Sequence, residues 1–162
     1  MEINDEPLAF FLTWTVYGTF LQGDIRWWRK KRQGSTPPQP ALEQWHRDRL
    51  KHEVVLLDEN HRAIVNSQIA KHCQHRSWHL WVANARTNHV HVVVTAKNYS
   101  GNRVRDQLKA NCTGALRKNA PIFVDRPIWT TGGDWQCLND DDSLQEAIEY
   151  ADEGQDQKRF EH

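Results

Sequence analysis

Two histidines one residue apart, His89 and His91, sit in an otherwise apolar run, Asn88-His89-Val90-His91-Val92-Val93-Val94. In a strand, the side-chain period of two puts both imidazoles on one face, about 7 Å apart along the chain, which suits two ligands of one metal ion. Hydrogen-bonded core histidines or a polar sheet face would give the same pattern. The chain holds nine His, so chance pairs are common and the spacing leaves both readings open. His72-x-x-His75 and His75-x-x-x-His79 straddle a predicted helix end and strand start, where helical spacing does not apply. A second chemistry is grip. Arg26-Trp27-Trp28-Arg29-Lys30-Lys31-Arg32 interleaves aromatic planes with cations, the combination that stacks bases and tracks phosphates on single strands. The plainer alternative is a tryptophan pair anchoring a loop whose basic tail is solvated. Arg103, Arg105 and Lys109 form a second candidate surface for nucleic acid.

The histidine pair needs a strand, and the patterning predicts one. Leu8 to Tyr17 is aromatic and β-branched and closes on Gly18, the mark of a buried first strand. Gly23 to about Pro40 keeps no helix or strand period and reads as a long loop. Glu53 to Leu57 is a candidate short strand, and Asp58 is placed to cap a helix from about Glu59 to Cys73. Trp78 to Ala85 and His89 to Ala96, separated by Arg86-Thr87-Asn88, predict an antiparallel hairpin. Val104, Leu108, Cys112, Ala115 and Leu116 predict an amphipathic helix over Asn102 to Lys118, ended before Pro121. A final strand is expected at about Ile128 to Leu138 with a Gly132-Gly133 turn inside it. A last helix then runs from about Asp141 to Gly154, capped from among Asp140, Asp141, Asp142 and Ser143. The order β-α-β-β-α-β-α describes an α+β fold, a ferredoxin-like split βαβ sandwich with an antiparallel sheet and an added C-terminal helix. No internal repeat is present, and 162 residues suit one domain.

Composition narrows the classes. With 38% hydrophobic and 26% charged residues, the chain is globular rather than disordered, collagenous or coiled-coil. Its longest apolar stretch, Leu8 to Leu21, is interrupted by Thr and Gly and is no membrane span, nor does the chain open on a signal peptide, so the cytoplasm is the expected location. The three cysteines, Cys73, Cys112 and Cys137, form no Cys-x-x-Cys pair and are expected as reduced thiols. Net charge is zero, but residues 1–138 carry 19 Lys and Arg against 12 Asp and Glu, while residues 139–156 hold eight acids and no base. A basic body with an acidic final helix is compatible with DNA, as it is with ordinary solvated faces.

A histidine, one apolar residue and a histidine on a central strand, followed by a helix, a strand and a helix with one tyrosine, resembles the HUH superfamily of single-strand nucleases. More narrowly, Leu12-Thr13-Trp14-Thr15-Val16-Tyr17-Gly18, Asn88-His89-Val90-His91, Leu108-Lys109-Ala110, Trp129-Thr130-Thr131-Gly132-Gly133 and Ala147-Ile148-Glu149-Tyr150 together resemble the single-tyrosine transposases, in particular the REP-associated branch. The similarity spans about Leu8 to Gln155. The resemblance implies that His89 and His91 bind a divalent metal, Mg²⁺ or Mn²⁺, and that Tyr150 is the nucleophile of single-stranded DNA cleavage and strand transfer through a 5′-phosphotyrosine. A polar residue on the tyrosine helix would complete the metal shell. The family usually has Gln or Asn four residues after the tyrosine, where this chain has Gly154, so Gln155 is the expected third ligand and Glu153 its rival. The expected partners are single-stranded or hairpin DNA and a second copy in a symmetric dimer. No nucleotide cofactor is needed, because the covalent ester keeps the bond energy. A non-catalytic hairpin-binding descendant of such an enzyme is the main alternative, and a metal-binding structural protein is another. Of the other tyrosines, Tyr17 ends a strand and Tyr99 lies past the histidine strand, facing away from the metal.

Overall fold

The computed structural model describes residues 6–19 and 48–154, which form an α+β structure built on a four-stranded antiparallel sheet. Its strands are β1 (Ala9–Thr15), β2 (His79–Ala85), β3 (His89–Thr95) and β4 (Asp134–Leu138), and its helices are α1 (Glu59–Arg76), α2 (Gly101–Asn119) and α3 (Asp141–Glu149). They alternate as β1-α1-β2-β3-α2-β4-α3, and the strands lie in the order β2-β3-β1-β4. Consequently β1 and β3 are central, with a partner on each side and a layer on each face. A strand covered on both faces reads as a near-continuous apolar run, and both do, broken at Thr13 and Thr15 of β1 and at His89 and His91 of β3.

The sheet's two faces differ. Phe10, Leu12 and Trp14 of β1 join Val90, Val92 and Val94 of β3 and the buried stripes of α1 and α2 in one large core. On the other face Ala9, Phe11, Val93 and Leu138 meet Ala147, Tyr150 and Ala151. In β2 a bulge between Leu80 and Val82 shifts the register, so Leu80 packs in the first core and Val82 against the second.

Local signals account for the helix ends. Asp58 caps α1 through Oδ1 on the His61 amide at 2.8 Å, and His61 Nδ1 accepts the Asp58 amide in return, a capping box with His in the usual Glu position. Ser100 caps α2 and Asp140 caps α3. The cysteines are free thiols, and burial pushes Cys73 and Cys112 up to about 12, far from thiolate chemistry.

Three expectations are corrected. Glu53 to Leu57 forms no strand: the Glu53 carbonyl accepts from Arg126, and Leu57 N–H donates to the Thr87 carbonyl at 2.8 Å. The final strand starts only at Asp134. Ahead of it Trp129 makes a single bridge to Val16, and Gly132 and Gly133 turn at φ of 81° and 133°. Gly133 also has to be glycine for space, since a Cβ there would lie 2.8 Å from the Thr13 carbonyl oxygen. Finally, α3 is α-helical only to Glu149, and residues Tyr150–Gly154 form one π-helical turn. Among the described residues no helix is long and apolar enough to cross a membrane.

Candidate active site

Strand β3 pairs with β1 in the register Thr13↔His91 and Thr15↔His89, so both histidines point to the α3 face of the sheet. Their rings stand 4.6 Å apart, centroid to centroid, and both side chains are buried. His89 Nδ1 lies 2.5 Å from Asn88 Oδ1, an acceptor only, which puts the ring proton on Nδ1 and the lone pair on Nε2. His91 Nδ1 is held by Thr13 Oγ1 at 2.9 Å, and with the hydroxyl accepting it takes the same tautomer. That is the arrangement in which an imidazole ligates metal through Nε2 while a neighbouring oxygen fixes its ring.

Burial and hydrogen bonds are common to metal ligands and to core histidines. The rest of the row is polar as well. Across the sheet, Asp134 of β4 stands opposite Thr13 of β1, Thr13 opposite His91, and His91 opposite Asn84 of β2. This makes a polar rung across all four strands. The next rung, Gln136, Phe11, Val93 and Val82, is largely apolar and packs towards α3. Of this rung only His91 is buried, and Asp134, Thr13 and Asn84 are half-buried, so the sheet face turns polar where it is only partly covered.

Tyr150 sits at the boundary between the two rungs. Its ring packs edge-on to Phe11 at 5.9 Å and to His91 at 5.5 Å, and it is 9% exposed. Asn84 fixes the segment: its Nδ2 donates to the carbonyls of Ala151 and Asp152, at 2.8 and 3.0 Å. One member of the polar rung therefore ties down the turn that begins with the tyrosine.

The structure thus brings His89, His91 and Tyr150 together. The other tyrosines lie elsewhere. Tyr17 Oη accepts the backbone amides of Lys51 and His52, and Tyr99 packs against Trp78 at 5.1 Å on the α1–α2 side. His72 bonds Gln107 through Nε2 at 2.9 Å, and His61 belongs to the capping box. Glu153 lies in the π turn with its side chain outside the description. Gln155 and the whole segment Arg26, Trp27, Trp28, Arg29, Lys30, Lys31 and Arg32 lie outside the described residues. Among the described residues, no group of three His, Cys, Asp or Glu converges as a metal cluster.

The cations of α2 have different roles. Lys109 Nζ donates to the carbonyls of Thr130 and Gly132, at 2.9 and 2.7 Å, and burial beside Arg105 lowers its pKa. Arg105 binds Asp106 and the Gly133 carbonyl. Both brace the Gly132-Gly133 turn under Thr13, whereas Arg103 lies over the Tyr99 ring at 5.2 Å.

Sequence reasoning gave no role to Thr13, Asn84, Asn88 or Asp134. Asn84 had a signal, since Asn is poorly suited to strands yet stands in a β-prone run. Compared with known proteins, the chain matches no family model and no curated protein.

Proposed function

We propose that this protein is a metal-dependent single-strand DNA nuclease and strand-transfer enzyme acting through a 5′-phosphotyrosine at Tyr150, on a ferredoxin-like split βαβ framework. The observation that carries the reading is the contact of Tyr150 with His91, at the edge of a polar rung that also holds Thr13, Asn84 and Asp134. The β-α-β-β-α-β order with β1 and β3 central is what that framework requires. It sets the histidine strand beside β1 and leaves the face opposite α1 and α2 to the last helix.

His89 and His91 would hold the divalent ion, and the oxygen that holds each Nδ1 fits that role by leaving Nε2 to the ion. When bound, the ion would neutralise a non-bridging oxygen of the scissile phosphate. Tyr150 supplies the attacking oxygen. The Oη–P bond forms as P–O3′ breaks, the phenol gives up one proton, and the departing 3′ oxygen takes one. One phosphodiester is exchanged for another, so the step is reversible and a second 3′-hydroxyl completes strand transfer. With an unperturbed pKa of ~10, only about one tyrosine in three hundred is ionised at pH 7.5, which is why the phenol needs to sit beside a charged centre.

Gly154 stands where the family usually has Gln or Asn, and the expected third ligand, Gln155, follows the π turn and lies outside the described residues. Gly154 itself is the feature favouring a non-catalytic hairpin-binding protein as the second reading.

Asn84 is a positioning residue in this scheme. Asn84→Ala should lower adduct formation at least tenfold while leaving Mn²⁺ affinity almost unchanged, and should cost about 1–3 kcal/mol in a urea melt. Asn84→Asp, with the same shape but no donor, should fare no better. Normal adduct formation in both variants would remove Asn84 from the mechanism. A symmetric dimer joined at a sheet edge, β2 or β4, belongs to the same reading, since moving an element requires two cleavages. Light scattering should give twice the monomer mass at micromolar concentration, and a monomer with and without DNA would contradict it. The function itself is tested by incubation with single-stranded DNA and Mn²⁺, followed by a search for a covalent protein–DNA adduct.

A further inference from the structure

At the end of β3 opposite His89, a cleft of about 690 Å³ opens between the C-terminal end of α1, the start of β2 and the N-terminal end of α2. Arg76, Lys97 and Arg103 line it together with His79, Trp78 and Tyr99, and no Asp or Glu is among its described lining residues. None of the three formal cations is paired with a carboxylate among the described residues, in contrast to Arg105 on the same helix. The helix ends do not decide the sign of the field. The C-terminus of α1 and the N-terminus of α2 contribute about −0.5 and +0.5 charge and roughly cancel, and one carboxylate stands nearby, Glu6, which accepts the Asn98 amide at 3.0 Å, so three cations against one acid leave the cleft net positive. Tyr99, half-buried under Arg103, supplies an aromatic edge. The volume is that of a ligand site, and the chemistry asks for an acceptor-rich anion with a flat apolar part.

We propose that this cleft is a second DNA-binding site, holding the phosphate backbone of a single strand against Arg76, Lys97 and Arg103 with a base on the Tyr99–Arg103 pair. The inference rests on the nuclease reading above. It places a holding site roughly 20 Å along the sheet from His89, six strand residues away, where a strand can be gripped without occupying the cleavage site. A planar guanidinium over an aromatic ring is a sequence-tolerant stacking platform, and three cations with no carboxylate partner among the described residues track a backbone without reading bases.

The test is fluorescence anisotropy of a labelled mixed-sequence single strand across a salt series. It compares the wild type, a cleft variant (Arg76→Gln, Lys97→Gln, Arg103→Gln) and a matched control that loses three exposed lysines elsewhere (Lys51→Gln, Lys71→Gln, Lys118→Gln). Each phosphate contact on a single strand contributes about 0.7 to the slope of log K against log salt, so the cleft variant should lose about 2 from the slope and bind more than tenfold more weakly. The control should lose far less. Arg76→Lys, Arg103→Lys, which keeps the charges, should retain most of the slope. Unchanged binding by the cleft variant, or an equal loss in the control, overturns the cleft assignment. Displacement of the strand by inorganic phosphate or a mononucleotide at micromolar concentration would make the cleft a small-molecule site and also overturn it. If the cleft variant binds normally and still forms the Tyr150 adduct, only this inference falls. If the wild type binds no single strand at all, the nuclease reading falls with it.

Discussion

Replacing Tyr150 by Phe is expected to abolish the covalent protein–DNA adduct, a loss of at least about a thousandfold, while leaving the fold and the Mn²⁺ affinity in place. The variant removes one oxygen. The ring it leaves behind keeps the edge contacts with Phe11 and His91 and the packing on Val93 and Ala147. Loss of a single hydroxyl costs about 0.5–3 kcal/mol, less than the ~5–15 kcal/mol stability of an ordinary domain. Urea melting and Mn²⁺ titration therefore separate loss of the nucleophile from loss of structure. Substituting Tyr17 should instead release the backbone amides of Lys51 and His52, and substituting Tyr99 should disturb the contact with Trp78. Neither change should touch the adduct chemistry. If Tyr150→Phe still cleaved with Mn²⁺, the assignment would be wrong.

The double variant His89→Ala, His91→Ala should bind Mn²⁺ at least about a hundredfold more weakly, because the two fixed imidazoles are the described part of the site. Both side chains are buried, so the variant also loses packing and its stability needs a separate control. Metal linkage provides one: saturating Mn²⁺ should raise the melting temperature of the wild type and leave the variant's unchanged. The same titration orders the third-ligand candidates, with Gln155→Ala weakening Mn²⁺ binding and Glu153→Ala doing so little. Undiminished affinity in the double variant would return the pair to the role of hydrogen-bonded core histidines.

Much of the framework was legible because two-sided burial leaves a plain signal. β1 and β3 read as near-continuous apolar runs, α2 repeats its buried residues every fourth position, and Asp58 and Asp140 stand where caps are needed. Other features were illegible for physical reasons. An α-turn and a π-turn draw on the same residues, so nothing in Tyr150-Ala151-Asp152-Glu153-Gly154 announces the wider turn. The bond from Asn84 to the turn joins residues 67 apart in the chain, and no local pattern encodes it. Charge alone also misleads. Lys109 and Arg105 read as candidate DNA contacts, yet their donors serve the carbonyls around Gly132 and Gly133, while Arg103 is left beside the basic cleft. The place of the histidine pair was readable from period two, whereas the role expected of Tyr150 rests on resemblance, to which the structure adds the contact of its ring with His91.

The most direct test is the covalent step itself. The wild-type protein is incubated with end-labelled single-stranded DNA from the sequence flanking its own gene, with Mn²⁺ or with EDTA, and resolved under denaturing conditions. A 5′-phosphotyrosine predicts that strands labelled at the 3′ end become protein-linked, that strands labelled at the 5′ end are released as shorter fragments, that EDTA prevents both, and that mass spectrometry finds the nucleotide on Tyr150. A nucleotide on Tyr17 or Tyr99, transfer of the 5′-labelled end to the protein, or no adduct on any flanking strand would contradict the account.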